Sequence, residues 1–203
     1  MNKLNYALGL YVGTYMAKSG IEKIESVDDF MSGVNTILED KDPLIPGEEI
    51  NSNLKSFFAA VLKKREEQEK KEAAENLKKG EEYLKENATK DGVKVTESGL
   101  QYKVIQEGNV LQWPNAHSRV RVNYEGRFID GTVFDSSYQR GEPVEFGLDQ
   151  VIPGWAEGVC LMKPGAKYEF VLPAKLGYGE VGIPDRIPGN SVLIFTVELL
   201  AIL

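Results

Sequence analysis

Cysteine and histidine are nearly absent from this chain, and their scarcity excludes several kinds of site. The only cysteine in 203 residues is Cys160, so no disulfide can form within the chain. The only histidine is His117, and the two residues together are too few soft ligands for a structural zinc site. A nucleophilic site is equally poorly supplied, because His117 lies among turn residues and Cys160 lies in an apolar segment. We therefore expect no metal and no cofactor.

Excess positive charge and long apolar runs are also missing. The chain has 24 basic and 31 acidic residues, so it lacks the basic field that gathers nucleic-acid phosphates. No apolar run approaches the roughly 18 residues that a membrane span needs. The first ten residues only faintly resemble a signal peptide, with a single lysine and no small-residue cleavage site. We expect a cytoplasmic protein, or a periplasmic one if a signal peptide was removed.

The N-terminal third has the apolar spacing of three helices. Apolar residues at positions 4, 8, 11, 12, 15 and 16 predict a first helix that ends at Ser19-Gly20. Ser26, with Asp29 three residues later, predicts the start of a second helix. Pro46-Gly47 then opens a third.

Three short amphipathic helices make a core that is marginal alone. A second copy of the chain would cover their apolar residues, so we predict that residues 1–62 form a helical homodimerisation domain. The alternative is a monomeric three-helix cap folded onto the C-terminal part of the chain. That alternative is weaker, because a long stalk would hold the cap away.

A charged segment follows the third helix. Residues 63–87 contain eight basic and eight acidic side chains of mixed order, a pattern typical of a solvated helix with i,i+4 ion pairs. A disordered linker is the alternative, but alanine, leucine and lysine-glutamate content without proline favours a helix. We predict one stalk helix over residues 48–90 that continues beyond Leu62 without a core. Gly80 is the expected place for it to bend or fray.

After Asn87 the apolar period changes from 3.6 to 2, which indicates strands. Five are predicted, at residues 100–104, 119–124, 144–148, 167–172 and 192–200, with a hairpin turn at Asp130-Gly131 and a short helix at 155–162. The predicted fold class is α+β: residues 91–203 form a curved antiparallel sheet wrapped around a short helix, preceded by the all-α domain and the long connecting helix.

Five segments of this C-terminal part resemble the FKBP-type peptidyl-prolyl cis-trans isomerases in order and spacing, over about residues 93–203. They are 122–128 (VNYEGRF), 134–137 (FDSS), 151–159 (VIPGWAEGV), 176–179 (LGYG) and 192–200 (VLIFTVELL). Residues 6–13 (YALGLYVG) and 96–102 (TESGLQY), with the helices between them, are similar to the bacterial Mip-like and FklB-like branch. Members of that branch form V-shaped homodimers through an intertwined N-terminal helical domain.

The resemblance implies the site as well as the fold. Trp155 is implied as the pocket floor, and the Ile152 backbone N–H as a donor to a substrate carbonyl. Asp135 and Tyr178 are implied as polar contacts, with Arg140 supporting the pair of Asp135 and Tyr124. The implied catalytic residues are Tyr124, Phe134, Asp135, Ile152, Trp155, Tyr178 and Phe195, and the implied substrate-binding residues are Arg140, Val144, Phe146, Val151, Ile183 and Ile187.

Each of these residues taken singly has a plainer explanation. Trp155, Phe134 and Phe195 are residue types that fill cores, and Asp135 with Arg140 is a common loop ion pair. Val144 and Ile183 also depart from the eukaryotic single-domain members of the family. Those members usually have a phenylalanine at the position of Val144, and many have a histidine at the position of Ile183. These two departures affect the expected substrate preference and the affinity for tacrolimus.

The expected function is acceleration of X-Pro isomerisation during protein folding, with associated chaperone activity. The expected partners are proline-containing unfolded or partly folded polypeptides and a second copy of the chain, with tacrolimus and rapamycin as candidate ligands. The alternative is a proline-binding chaperone or adaptor without turnover.

Overall fold

The computed structural model describes residues 1–21 and 23–203, which divide into two compact units. The first unit is Met1–Gln68 and the second is Glu69–Leu203. Helices fill the first unit, whereas the second combines helices with an antiparallel sheet. The predicted α+β class is therefore confirmed.

The first unit contains α1 (Lys3–Lys18), α2 (Val27–Leu38) and the N-terminal part of α3 (Gly47–Asn87). Asn2 caps α1, and the Ser26 hydroxyl caps α2 by accepting a hydrogen bond from the Asp29 N–H at 3.2 Å. The predicted start of the second helix is thus confirmed. No described residue of α1 or α2 is buried, so these helices have no core of their own within one chain.

The long helix α3 runs without interruption through the charged segment, as predicted. Its ion pairs include Lys63 with Glu67 at 4.0 Å and Glu75 with Lys79 at 3.7 Å. Of the expectation that the helix bends or frays at Gly80, the fraying is wrong, because Gly80 is a buried residue within a continuous helical segment.

The C-terminal end of α3 belongs to the second unit and packs on its sheet, which corrects the prediction of a helix without a core beyond Leu62. Tyr83 and Leu84 pack against a cluster of buried residues, Val171, Val192 and Ile194. A Cβ at Gly80 would lie 2.7 Å from Val192 Cγ2, so glycine permits the close approach. The dense charge around Tyr83 and Leu84 concealed this short apolar face from a pattern analysis.

Within the described residues, seven strands form one sheet in which every pairing is antiparallel. The sheet order is β1-β2-β6-β7-β3-β4, and β5 also pairs with β3. The strands are β1 (Val93–Val95), β2 (Gln101–Gln106), β3 (Arg119–Phe128), β4 (Val133–Ser136), β5 (Val144–Gly147), β6 (Lys167–Leu172) and β7 (Leu193–Ile202).

All five predicted strands are present, and the count of about five missed β1 and β4. These two strands have three and four residues, too few to establish an alternating pattern. The predicted turn at Asp130-Gly131 is confirmed: it joins β3 to β4, and Gly131 adopts a left-handed φ of 89°.

The helix α5 (Pro153–Cys160) packs against the sheet and sets the position of the pocket described below. It begins two residues before the predicted Trp155, since proline suits the first turn of a helix. A Cβ at Gly158 would lie 2.8 Å from the Phe170 ring, so the helix lies very close to β6. This close contact places Trp155, in the first turn of α5, in the core. A short helix, α4 (Ser137–Arg140), follows β4.

Candidate active site

A half-open pocket of about 290 Å³ lies at the N-terminal end of α5. Strands β3, β4, β5 and β7 each contribute to its wall, together with the loop that follows the 3₁₀ turn Ala174–Leu176. The lining residues are Tyr124, Phe134, Asp135, Val144, Phe146, Gln150, Val151, Ile152, Trp155, Tyr178 and Phe195.

The pocket has an aromatic base built around Trp155, whose side chain is only 5 % exposed. Its indole meets three rings edge-on, with centroid distances of 5.1 Å to Tyr124, 5.3 Å to Phe146 and 5.2 Å to Phe195. Phe134 in turn lies edge-on to Phe195 at 5.6 Å. Edge-to-face contacts of this kind add stabilisation beyond the buried area, so the indole is held in a fixed orientation.

A polar group of three side chains lies at the edge of this aromatic base. The Tyr124 hydroxyl donates a hydrogen bond to Asp135 Oδ2, and the Arg140 guanidinium donates to Asp135 Oδ1. Arg140 also donates to the Tyr124 hydroxyl at 3.1 Å. Arg140 does not itself line the pocket. It therefore acts on the pocket through Asp135 and Tyr124.

The two titratable groups in this network have opposite pKa shifts. Partial burial raises the pKa of Asp135, but the hydrogen bonds from Tyr124 and Arg140 outweigh burial and leave that pKa below its usual value. The pKa of Tyr124 is raised, first by burial and then by its hydrogen bond to Asp135. At neutral pH the site thus holds a carboxylate and a neutral phenol.

The Ile152 backbone N–H is placed at the start of α5. Ile152 is the N-cap residue, and its carbonyl accepts the N–H groups of Trp155 and Ala156 at 2.9 and 3.1 Å. Its own N–H has no hydrogen-bond acceptor among the residues that the structure describes. Ile152 is half-buried and lines the pocket, so this N–H is available to donate to an incoming carbonyl.

The loop after the turn Ala174–Leu176 contributes one of its three predicted site residues to the pocket wall. Tyr178 lines the pocket, and burial raises the pKa of its hydroxyl. Ile183 and Ile187 instead pair with each other through two backbone hydrogen bonds of 2.8 and 2.9 Å. Ile187 belongs to the buried core and Ile183 packs against it, and neither residue is among those that line the pocket. Their roles in substrate binding stay predictions.

The structure therefore gathers ten of the thirteen predicted site residues around one cavity and leaves Arg140, Ile183 and Ile187 off its wall. The lining residue that the sequence analysis missed is Gln150, which ends the 3₁₀ turn Leu148–Gln150. Its position two residues before Ile152, beside the motif, was the one signal that could have found it. The plainer explanation, that the aromatic residues only fill a core, accounts for part of their contacts but not for the cavity they line.

Comparison with known proteins agrees with this geometry. Residues 112–200 match the family described as FKBP-type peptidyl-prolyl cis-trans isomerase. Residues 1–104 match the domain amino terminal to FKBP-type peptidyl-prolyl isomerase. The chain belongs to the FKBP-type peptidyl-prolyl cis-trans isomerases.

Similar members of this family align with almost the whole chain. The FKBP-type peptidyl-prolyl cis-trans isomerase FkpA of Aeromonas hydrophila is 48 % identical over 204 residues, which cover 97 % of this chain and 74 % of that protein. The FKBP-type 22 kDa peptidyl-prolyl cis-trans isomerase of Escherichia coli is 44 % identical and is covered to 94 %, with 98 % of this chain aligned. The crystal structure of FkpA from Escherichia coli matches with a TM-score of 0.75 at 41 % identity, covering 98 % of this chain and 95 % of that one.

These relatives confirm the enzyme class and the branch of the family that the sequence resembled. In residues 1–21 and 23–203, no helix is both long and apolar enough to cross a membrane.

Proposed function

We propose that the protein accelerates the cis-trans isomerisation of X-Pro bonds in unfolded or partly folded polypeptides, by stabilising a twisted amide in the Trp155 pocket. The observation that carries this proposal is the combination, in one cavity, of an aromatic base with the Ile152 N–H, which has no acceptor among the described residues. Without a catalyst the reaction takes tens to hundreds of seconds.

The barrier of about 18–20 kcal/mol arises because the amide loses its resonance when the C–N bond rotates. A twisted amide is less polar than either planar isomer, so an apolar cavity favours it over both. The proline ring packs on Trp155 between Phe146 and Phe195, and the Ile152 N–H holds the substrate carbonyl. The Asp135 carboxylate and the Tyr178 hydroxyl supply polar contacts to the rotating amide. No proton is transferred and no covalent bond forms.

A protease-coupled assay with an Ala-Leu-Pro-Phe peptide tests this proposal on the full chain. Trp155→Leu removes the central ring of the aromatic base, and losing about 1.5–3 kcal/mol of apolar contact should lower kcat/KM roughly 10- to 100-fold. Tyr138→Phe is the matched control: Tyr138 is an aromatic neighbour on α4 whose hydroxyl bonds to Glu198 at 2.9 Å, outside the pocket. Absence of turnover by the unmodified chain would contradict the proposal.

We also propose that residues 1–62 pair two copies of the chain. Helix α1 is apolar around most of its circumference, and such a helix is normally buried. Leu4, Leu8, Tyr11 and Tyr15 nevertheless lie exposed at helical spacing on one chain. A Cβ added at Gly9 or Gly13 would meet no atom within 4 Å, which leaves room for a close partner helix.

The exposed apolar residues of the first unit also support a chaperone role, in which unfolded chains are captured without regard to proline. This role predicts that suppression of client aggregation requires residues 1–62 and survives Asp135→Ala. A non-catalytic adaptor predicts instead that prolyl peptides bind to the full chain without turnover. Aggregation, peptide binding and turnover are measured on Asp135→Ala and on a chain that lacks residues 1–62. The three measurements together separate the isomerase, the chaperone and the non-catalytic adaptor.

Tacrolimus and rapamycin are proposed as ligands of the same pocket. Val144 lines the wall where the eukaryotic single-domain members usually have the larger phenylalanine, so we expect weaker contact with the drug on that side. Val144→Phe should then tighten tacrolimus binding, measured by calorimetry. The cellular location, cytoplasmic or periplasmic, is a further prediction that fractionation of the producing cells decides.

A further inference from the structure

The loop that carries Tyr178 is tied to the packed end of α3 by two asparagine side chains. Asn76 Nδ2 donates a hydrogen bond to the Gly189 carbonyl at 3.1 Å. Asn190 Nδ2 donates in the opposite direction, to the Ala73 carbonyl at 3.2 Å. Both bonds are partly buried. We call Asn76 and Asn190 the asparagine pair.

Inside the loop, Asn190 connects to the backbone that follows Tyr178. The Asn190 N–H donates to the Gly179 carbonyl at 2.9 Å, and the Gly182 N–H donates to the Tyr178 carbonyl at 3.1 Å. Asn190 has a left-handed φ of 57°, a conformation that asparagine tolerates better than most residues. The backbone that directly follows Tyr178 is therefore part of the hydrogen-bonded unit that α3 holds.

The fit between the loop and the helix is also close. A Cβ at Gly189 would lie 3.1 Å from Ala73 Cβ and would overlap the Glu180 carbonyl oxygen. Loops that cover sites are usually among the less stable parts of a fold, because few of their contacts are buried. This loop instead has direct hydrogen bonds to a helix that begins far away in the sequence.

We propose that Asn76 and Asn190 are positioning residues for Tyr178, and thereby make α3 part of the isomerase site. The proposal rests on the proposed function of the pocket. Tyr178 is 37 % exposed and its hydroxyl makes no hydrogen bond to the described part of the chain, so its ring position depends on the loop backbone. The asparagine pair fixes that backbone from outside the pocket.

Loss of the pair should act on substrate binding more than on the chemical step. If the loop is released, only a fraction of molecules has Tyr178 in place, and the apparent affinity for substrate falls by that fraction. The turnover of bound substrate stays close to the original value. For one neutral hydrogen bond the expected rise in KM is roughly two- to tenfold.

The experiment uses full-length Asn76→Ala and Asn190→Gly, the latter because glycine accepts the left-handed backbone. Asn76→Asp removes the donor with little change of shape and serves if the alanine variant folds poorly. Asn87→Ala is the matched control, since Asn87 lies on the same helix but donates to Gln101 Oε1, on β2, at 2.8 Å. The measurements are kcat and KM on a prolyl peptide, and amide hydrogen exchange at Gly182 and Asn190.

We expect the variants of the asparagine pair to raise KM, to leave kcat nearly unchanged and to speed amide exchange at Gly182. Asn87→Ala should change neither KM nor the exchange rate at Gly182. Equal effects in Asn87→Ala would reduce the pair to general stabilisation of the fold and overturn the proposal. Unchanged KM with unchanged exchange would overturn it as well. An unmodified chain without turnover would contradict the proposed function instead, and the exchange rates would still decide whether the pair holds the loop.

Discussion

The Tyr124 hydroxyl donates its hydrogen bond to the Asp135 carboxylate, and Arg140 donates to both residues. Three side chains from β3, β4 and α4 thus form one closed group beside the aromatic base. The carboxylate is kept ionised by its partners rather than by exposure to water. The group is therefore suited to orienting a substrate amide and unsuited to general acid catalysis near neutral pH.

Arg140→Ala should raise the pKa of Asp135, because the variant loses a charged donor and leaves burial partly uncompensated. In the original chain the folded pKa lies below the unfolded value of about 3.9, so Asp135 contributes stability above that pH. That contribution is lost as pH falls through the folded pKa. Carbon-13 titration of the Asp135 carboxyl measures the shift directly.

The control for this titration is Arg119→Ala, which removes a similar exposed pair with Glu145 at 3.6 Å. It should leave the Asp135 pKa unchanged.

Activity of the original chain should stay level from about pH 6 to about pH 9, since Asp135 remains ionised there. A rise in activity on protonation of Asp135 would contradict the assigned role of the carboxylate.

The two tryptophans allow binding to be followed at the pocket alone. Trp155 is buried in the pocket base, whereas Trp113 is 52 % exposed and lies beside Lys163. In Trp113→Phe the remaining emission comes from Trp155, and a saturating prolyl peptide should change it. In Trp155→Phe the remaining emission comes from Trp113 and should not respond. A response confined to Trp113 would place the binding site elsewhere.

The sequence predicted the pocket better than it predicted the packing around it. Trp155, Phe195 and Tyr124 lie in motifs with fixed spacing, so the resemblance located them one by one. Gln150 escaped because nothing in its residue type distinguishes a pocket glutamine from a surface one. Ile183 and Ile187 were assigned to the site by the resemblance, yet neither is among the residues that line the pocket.

The packed end of α3 shows a different limit of sequence reasoning. Tyr83 and Leu84 are two apolar residues among lysines and glutamates, and only the tertiary structure reveals that they face β-sheet residues. Gly80 reads as a weak point when the helix is taken alone. In the folded chain it is the position where the helix comes nearest to Val192.

Gly80→Ala should therefore destabilise the second unit despite the better helix propensity of alanine. The added Cβ lies 2.7 Å from Val192 Cγ2, and Val192 is a stiff, buried residue. Overpacking costs about 1–3 kcal/mol and the gain in propensity is about 1 kcal/mol, so the free energy of unfolding should fall by roughly 1 kcal/mol. Urea unfolding followed by Trp155 emission measures this unit specifically.

Lys79→Ala is the matched control, one residue earlier on the exposed side of the helix. It should change the same free energy by less than about 0.5 kcal/mol. An increase in stability for Gly80→Ala would mean that α3 does not pack against Val192 in solution. Gly80→Leu should lower the free energy of unfolding further than Gly80→Ala, because its side chain is larger.

Charge placed on α1 should separate the proposed dimer, because a lysine cannot be buried between two apolar helices without a partner. Tyr11 is 73 % exposed on one chain, and Tyr11→Lys should lower the mass found by light scattering to that of one chain. Peptide isomerisation should change less than about twofold, since every residue lining the pocket lies in the second unit. Leu111→Lys is the control: Leu111 is 84 % exposed in the second unit, and its variant should keep the original mass. If Tyr11→Lys remains a dimer, α1 is covered by something other than a second α1. If the unmodified chain has the mass of a monomer, the proposed dimer is contradicted.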